Sequence, residues 1–304
     1  MAEGGESGHE IAIDEPLARR LLAAQFPPWA ELPLEPVASA GTDNAIFRLG
    51  AEMCLRLPRV GRAAGQVEKE RRWLPVLNPL PLAIPTPLGR GRPGEGYPWN
   101  WSIYAWLEGE AATPERLADP DEAAVDIARF ITALQRIDAA GGPPSGPHNE
   151  FRGVPLVQRD ALTREAIDSL SDLYDRAALT AAWEAALKAS AWPGPPVWIH
   201  GDIQSGNLLA QQGRITGVID FGLMGLGDPA CDLMVAWSLL PATSRPVFRA
   251  ALDLDDATWL RGRGWALSVA LIALAYYRDS NRSLAAMSRR TIDEVLAEIE
   301  QSGV

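Results

Sequence analysis

His200-Gly201-Asp202-Ile203-Gln204-Ser205-Gly206-Asn207, followed after one short apolar segment by Ile219-Asp220-Phe221-Gly222, is the stretch on which the reading of this chain turns. Asn207 stands five and Asp220 eighteen positions after Asp202. Transfer of a phosphoryl group from a magnesium-bound nucleoside triphosphate needs one carboxylate to hold the acceptor hydroxyl. It also needs an amide and a second carboxylate to hold the metal. The spacing offers all three. Taken singly, each residue has a plainer reading: Asp202 as a turn aspartate capping its own loop, Asn207 as a turn cap, Asp220 as the end of a hairpin marked by Gly213 and Gly217.

The local chemistry fits the sharper reading. Gly201 and Gly206 flank the loop and let the backbone turn tightly beside a substrate. A phosphoryl group bound to magnesium is already electrophilic, so an aspartate of ordinary basicity suffices to orient the hydroxyl and take its proton late. Asn207 adds an amide oxygen without further negative charge, and its NH2 can reach Asp202. Asp220 follows the strand-like Val218-Ile219, and Phe221 is the residue that packs the turn.

With a third element, Gly227-Asp228-Pro229-Ala230-Cys231-Asp232-Leu233, these motifs make the chain resemble the aminoglycoside phosphotransferase family. That is the branch of the protein-kinase-like fold that includes aminoglycoside and macrolide phosphotransferases and choline and homoserine kinases. The resemblance runs from about Leu34 to Leu240, with a helical extension beyond. It implies that Asp202 is the catalytic aspartate, that Asn207 and Asp220 hold Mg²⁺ (or Mn²⁺), and that ATP is the donor to a hydroxyl of a small molecule. His200 would hold the loop in shape, and Asp228 and Asp232, at the start of a helix, would be structural. The acceptor class it suggests is an aminoglycoside, a macrolide or an antibiotic-like metabolite. A housekeeping metabolite kinase, or a nucleotide-binding protein of this fold without transfer activity, is the alternative.

The small lobe departs from the pattern. Family members hold the ATP phosphates with a basic residue on the third strand, usually lysine, paired to a glutamate on the next helix. Here the strand reads Met53-Cys54-Leu55-Arg56-Leu57, so Arg56 takes that place and Glu70 is its expected partner. Arginine keeps the charge but is bulkier and presents a planar fork. An Arg56 exposed on the strand surface is the plainer possibility. The turn Ser39-Ala40-Gly41-Thr42-Asp43-Asn44 has no kinase-type glycine signature; Gly41, Thr42, Asp43 and Asn44 are expected to face the phosphates. Alignment on Gly109 places the adenine-reading backbone near Ala105 and Leu107, in a hinge at 105–110.

Around these motifs the chain is organised as an N-terminal tail and helix (1–30), a small lobe (31–105) and a large, mostly helical lobe (106–304). Asp14 is the expected N-cap of a helix with a Leu17, Leu21 and Leu22 stripe that ends before Pro27-Pro28. Strands are expected over 34–39, 45–49, 52–57, 86–89 and 99–104, with one helix over 64–77: five antiparallel strands in a β-β-β-α-β-β order. Beyond 119, helices are expected over 121–137, 162–173, 180–189, 229–240, 256–277 and 284–299, with short strands over 197–200, 207–210 and 215–219. The fold class is α+β.

Composition excludes some functions. Apolar content of 47% and charged content of 22% are ordinary globular values. A net charge of −11 argues against nucleic acid or an anionic membrane as partner. Cys54 and Cys231 are far apart and form no metal or disulfide pattern, which suits buried thiols in a reducing, cytoplasmic setting. The Gly/Glu-rich residues 1–10 read as a frayed end without the pattern of a signal peptide. The apolar run from Trp265 to Tyr277 is too short to span a bilayer. A monomer or a homodimer is expected.

Overall fold

A computed structural model describes residues 11–38 and 41–302. The tail over 1–10, and Ser39 and Ala40 of the first turn, lie outside the described residues. The chain divides into two compact units, one of residues 1–78 and 84–107, the other of residues 79–83 and 108–304.

In the first unit, α1 (Glu15–Gln25) begins where the Asp14 carboxylate accepts the Leu17 N–H at 2.9 Å and ends at Phe26, before Pro27-Pro28. Five strands follow: β1 (Leu34–Pro36), β2 (Asn44–Leu49), β3 (Met53–Pro58), β4 (Pro87–Gly91) and β5 (Trp101–Ala105), with α2 (Gly61–Leu77) between β3 and β4. They pair antiparallel in the order β1-β2-β3-β5-β4, the expected small sheet with its single inserted helix.

Alternation along the strands decides what each face does. Ala45, Phe47 and Leu49 of β2 and Leu55 and Leu57 of β3 join Leu17, Leu21 and Leu22 of α1 and Trp101 and Ile103 of β5 in one buried cluster. α1 is thus built into this unit's core. Cys54 and Arg56 alternate with Leu55 and Leu57, and Arg56 is thereby turned to Glu70 of α2. Cys54 is half-buried, whereas Cys231 in the second unit is buried.

The second unit carries β6 (Glu110–Ala111), α3 (Pro120–Gln135), α4 (Asp160–Ser169), α5 (Arg176–Leu187), β7 (Val197–Ile199), β8 (Leu208–Gln211), β9 (Arg214–Val218), β10 (Gly225–Gly227), α6 (Val235–Ser238), α7 (Arg245–Ala251), α8 (Asp256–Tyr277) and α9 (Arg282–Ser302). Two small sheets, β6-β8-β9 and β7-β10, carry the motif loops. Ala83 bridges Gly217 beside β9, so the segment before β4 belongs with this unit. α8 is buried on most sides, with Trp265, Leu267, Leu271 and Leu274 enclosed. No helix among the described residues is long and apolar enough to cross a membrane.

Two local expectations differ from the structure. The helix expected over 229–240 is a 3₁₀ turn, Pro229–Met234, followed by the single turn of α6. The 3₁₀ winding lets Asp228 cap the turn while Asp232, four residues on, reaches a different strand end. The short α7, β6 and β10 were not expected; elements of two to seven residues carry too little periodicity to read.

Candidate active site

In the first unit, β3 and α2 bring a charged cluster together. Arg56 Nη1 donates to Glu70 Oε1 at 2.6 Å, and Nη2 donates to Gln66 Oε1 at 3.2 Å. With the Asn44 amide turned to offer its oxygen, Arg56 Nη2 and Nε also donate to it at 3.1 and 3.2 Å. The other Glu70 oxygen accepts the Tyr104 hydroxyl. Glu70 is only 2% exposed, and its buried charge is met by a cation and a hydroxyl together. Gln66 and Tyr104 are also part of this cluster. Gln66 lies one helical turn before Glu70 and Tyr104 is one strand over, so helical spacing points to Gln66 once Arg56 is placed.

The turn before β2 is also engaged. The Asp43 carboxylate accepts from Arg62 Nη2 at 2.6 Å and Nε at 3.2 Å, and its carbonyl accepts the Arg59 N–H at 2.7 Å. Thr42 Oγ1 lies 3.3 Å from Asp43 Oδ1, and Gly41 is exposed next to it. At the far end of β5, the Ala105 N–H is spent on Thr86 and the Trp106 N–H on Glu52, while the Leu107 N–H has no partner among the described residues.

In the second unit, β7 ends at Ile199 and delivers His200 to a tight loop. Gly201 has φ 83°, and a Cβ there would stand 2.5 Å from the Leu223 carbonyl oxygen, so only glycine fits. His200 is fully buried. Its Nδ1 accepts the Asp202 N–H at 3.2 Å, so the ring proton sits on Nε2, which donates to the Ile219 carbonyl at 3.0 Å. Burial lowers the His200 pKa to about 4, keeping the ring neutral. The ring also meets Phe221 edge-on at 4.5 Å. One imidazole therefore ties the Asp202 backbone to the strand end that carries Asp220.

Asp202 is clasped on one oxygen. Oδ2 accepts from Asn207 Nδ2 at 2.8 Å and from Gln204 Nε2 at 3.0 Å. Asn207 Nδ2 also donates to the Asp202 carbonyl at 2.9 Å. Oδ1 faces Arg152 Nη2 at 3.6 Å, too far for a hydrogen bond. Burial raises the Asp202 pKa to about 6; Arg152 and Asn207 oppose the rise and Asp220 adds to it. The Ile219 N–H donates to the Asn207 carbonyl at 2.9 Å, which ties the two motif loops together one residue from Asp220. Asp220 has φ 64° and ψ 62°, the left-handed region that disfavours any residue with a Cβ.

The third motif divides its labour. Asp228 caps the Pro229–Met234 turn through the Ala230 N–H at 3.0 Å and receives Arg261 on both oxygens, at 2.7 and 3.3 Å. Asp232 stands in the first turn of that 3₁₀ helix, as expected, but does not cap it: its carboxylate accepts the N–H groups of His200 and Gly201, each at 2.8 Å, and so holds the backbone of the His-Gly-Asp loop. Burial pushes the Asp232 pKa up to about 7 against the pull of those two donors. Gln204 and Arg152 complete the surroundings of Asp202. Gln204 lay in plain sight within the motif, while Arg152 is fifty residues upstream with no local pattern to mark it.

Comparison with known proteins follows the same residues. The model of the phosphotransferase enzyme family (APH) matches residues 35–265, and the chain belongs to that family. It is 27% identical over 172 residues to an aminoglycoside 3'-phosphotransferase of Salmonella typhimurium, covering 53% of this chain and 62% of that relative. Among solved structures it is similar to the GDP and kanamycin complex of APH(2")-IIia, with a TM-score of 0.73 at 20% identity over 92% of this chain and 98% of the other. It is also similar to the macrolide 2'-phosphotransferase MphH apoenzyme from Brachybacterium faecium, with a TM-score of 0.59 at 22% identity, over 93% and 98% of the two chains. The fold is therefore that of these kinase-like phosphotransferases.

Proposed function

We propose that this protein transfers the γ-phosphoryl group of ATP to a hydroxyl of a small molecule of the kind its relatives are named for, an aminoglycoside or a macrolide. The observation that carries the reading is the one-sided clasp on Asp202. Asn207 and Gln204 hold Oδ2, which leaves Oδ1 to accept the hydrogen of an acceptor hydroxyl. The hydroxyl is thereby aimed and its proton has a destination, the two services a positioned carboxylate renders in phosphoryl transfer.

Asn207 and Asp220 would hold Mg²⁺. Their chemistry suits a hard cation, and because Asn207 spends its NH2 on Asp202 twice over, its amide oxygen is the end left for a ligand. The metal, when bound, supplies charge neutralisation on the phosphates. Arg56, kept in one rotamer by Glu70 and Gln66, would meet the phosphates, with the backbone of Gly41, Thr42, Asp43 and Asn44 beside it. The Leu107 N–H and the Ala105 carbonyl would read the purine edge. His200, Asp228 and Asp232 would hold the loop rather than touch substrate.

The testing experiment is acceptor-dependent ADP release across panels of aminoglycosides, macrolides and small metabolic alcohols, with ATP and GTP compared as donors. Release with at least one antibiotic, abolished in Asp202→Ala, is the expected result. Release with metabolic alcohols alone would replace the antibiotic acceptor by a metabolic one. No acceptor-dependent release from a protein that binds ATP would favour a non-catalytic nucleotide-binding role.

A further inference from the structure

Arg152 lies in the second unit on the loop after the Pro147–Asn149 turn, and the reading above gives it no part. Its side chain is 9% exposed. Nε and Nη1 are enclosed and have no hydrogen-bond partner among the described residues. Nη2 is the nitrogen left toward the catalytic loop, 3.6 Å from Asp202 Oδ1. Desolvated donors without acceptors cost stability, so a guanidinium left in this state is not there to hold the fold together. Two other buried arginines of this unit show the contrast. Arg261 is satisfied by Asp228, Thr258 and the Ser190 carbonyl, and Arg245 by Glu294, Glu298 and the Ala236 carbonyl.

The backbone beneath Arg152 is, by contrast, firmly placed. Its carbonyl accepts from Ser145 Oγ and from Asn149 Nδ2. Glu150 and Phe151 have φ of 51° and 57°, and Gly153 has φ of 79°, two strained residues and a glycine in the left-handed region. A Cβ on Gly153 would come within 2.5 Å of Ile199 Cδ1, and one on Gly201 within 3.1 Å of Arg152 Cβ, so the loop is pressed onto the end of β7 and onto the His-Gly-Asp turn. The stem is fixed and the head is unsatisfied. That is the pattern of a group waiting for a ligand oxygen.

We infer that Arg152 is a further catalytic residue, whose Nη2 donates to a non-bridging oxygen of the phosphoryl group during transfer. The inference rests on the phosphotransfer reading above. In the step, the acceptor hydroxyl gives its proton to Asp202 Oδ1 and its oxygen forms a bond to phosphorus. The bond from phosphorus to the bridging oxygen breaks, and the nucleoside diphosphate leaves with that electron pair. Arg152 gives no proton; it holds the negative oxygens that persist throughout. Asp202 Oδ2 is turned to Asn207 and Oδ1 to Arg152, so the guanidinium stands on the side where hydroxyl and phosphorus meet. The charged groups acting on Asp202 are one cation, Arg152, and the carboxylates of Asp220 and Glu150. In such acidic surroundings that cation would add to the neutralisation given by the Mg²⁺ that Asn207 and Asp220 would hold.

The test uses the full chain with Arg152→Met and Arg152→Lys. Affinity for magnesium-bound ADP is measured by calorimetry with and without aluminium fluoride, a mimic of the phosphoryl group in flight. ATP turnover is followed with water or an active alcohol as acceptor, and thermal melting is recorded. Arg152→Met should stay folded and bind ADP unchanged. In wild type, fluoride should tighten ADP by at least about tenfold, as transition-state mimics do; in Arg152→Met that gain should vanish and turnover should fall by about 10²–10³. Arg152→Lys should recover part of both. Retained fluoride tightening and turnover in Arg152→Met would overturn the inference, as they would if Arg152 met an acidic group on the acceptor or only a water. A lowered melting point with wild-type fluoride tightening would overturn it in favour of a structural role. If wild type itself, like Asp202→Ala, shows neither fluoride tightening nor turnover, the phosphotransfer reading fails and this inference with it.

Discussion

Arg56 in the first unit and Arg152 in the second are both largely enclosed arginines, at 14% and 9% side-chain exposure, yet they are treated in opposite ways. Arg56 is partnered by Glu70, Gln66 and Asn44. Arg152 keeps two nitrogens without partners among the described residues and stands beyond hydrogen-bond distance from the Asp202 carboxylate. The first unit's cluster is thus a network that specifies one geometry. In the second unit the backbone of the His-Gly-Asp loop is tied by Asp232, His200 and Asn207, while Asp202 Oδ1 and Arg152 Nη2 stand 3.6 Å apart, beyond hydrogen-bond distance. A network of partners presets the rotamer of Arg56, whereas the Asp202 loop keeps a tied backbone with side-chain valences open.

The largest expected effect tests the open side. Asp202→Asn preserves size and the clasp but removes the acceptor for the hydroxyl proton. Turnover should fall by about two to four orders of magnitude, with ATP affinity and melting temperature close to wild type. Steady-state kinetics and calorimetry on the purified variant decide the matter. Near-normal turnover would make Asp202 a turn residue and erase the distinction between the two regions.

A smaller effect is expected in the Arg56 network, and in stability as well as rate. Glu70→Ala leaves Arg56 without its main partner and Tyr104 without an acceptor, and should cost about 3 kcal/mol of stability. Arg56→Ala strands the Glu70 carboxylate in the same way. Because the two act through one network, the double variant should lose much less than the sum of the singles, in melting and in kcat/KM for ATP alike. Arg56→Lys keeps the charge but cannot serve Gln66 and Asn44 together. If the effects simply add, Arg56 and Glu70 are neighbours rather than a unit, and the contrast with Arg152 dissolves.

The same contrast explains what could be read from the sequence. The fold was legible because its signals are local: the Asp14 cap, the Leu17–Leu21–Leu22 stripe, alternation in β2 and β3, and Pro-terminated helices. The motif residues stand out because their spacing is confined to one short segment, and Asp202 and Asn207 meet there. What stayed hidden is long-range. Asp232 reads as a helix-start residue until the 3₁₀ turn carries it to the N–H groups of His200 and Gly201, about thirty residues upstream. Arg152 reads as an ordinary loop arginine until the strained 150–153 turn presses it on Gly201. Neither contact leaves a periodic trace. Burial without partners, which marks Arg152, is a property of the folded chain alone.

The smallest expected effect concerns how tightly the frame of the open site is held, and its sign can be worked out. His200 titrates at about 4 in the folded chain, against about 6.5 unfolded. Between those values the unfolded chain takes up a proton that the native ring refuses. Stability from this residue is therefore whole above about pH 6.5 and is lost as pH falls toward 4, by at most about 1.4 kcal/mol per pH unit. Asp232, raised to about 7 by burial, and Asp202, raised to about 6, work the other way, gaining stability as pH falls through those values. The wild-type curve alone mixes the three. The informative quantity is the difference between wild type and His200→Gln, whose amide can still donate to the Ile219 carbonyl but does not titrate. At pH 7 the variant should melt lower, having lost the imidazole's fit against Phe221 and the Asp202 N–H. As pH is lowered from 7 to 4 the gap should narrow, because only wild type must resist charging a buried ring. Melting curves at half-unit steps read this directly. A gap constant with pH would mean that the ring charges in place, and that the Nδ1 acceptor on which the posture of Asp202 depends is not a fixed part of the loop.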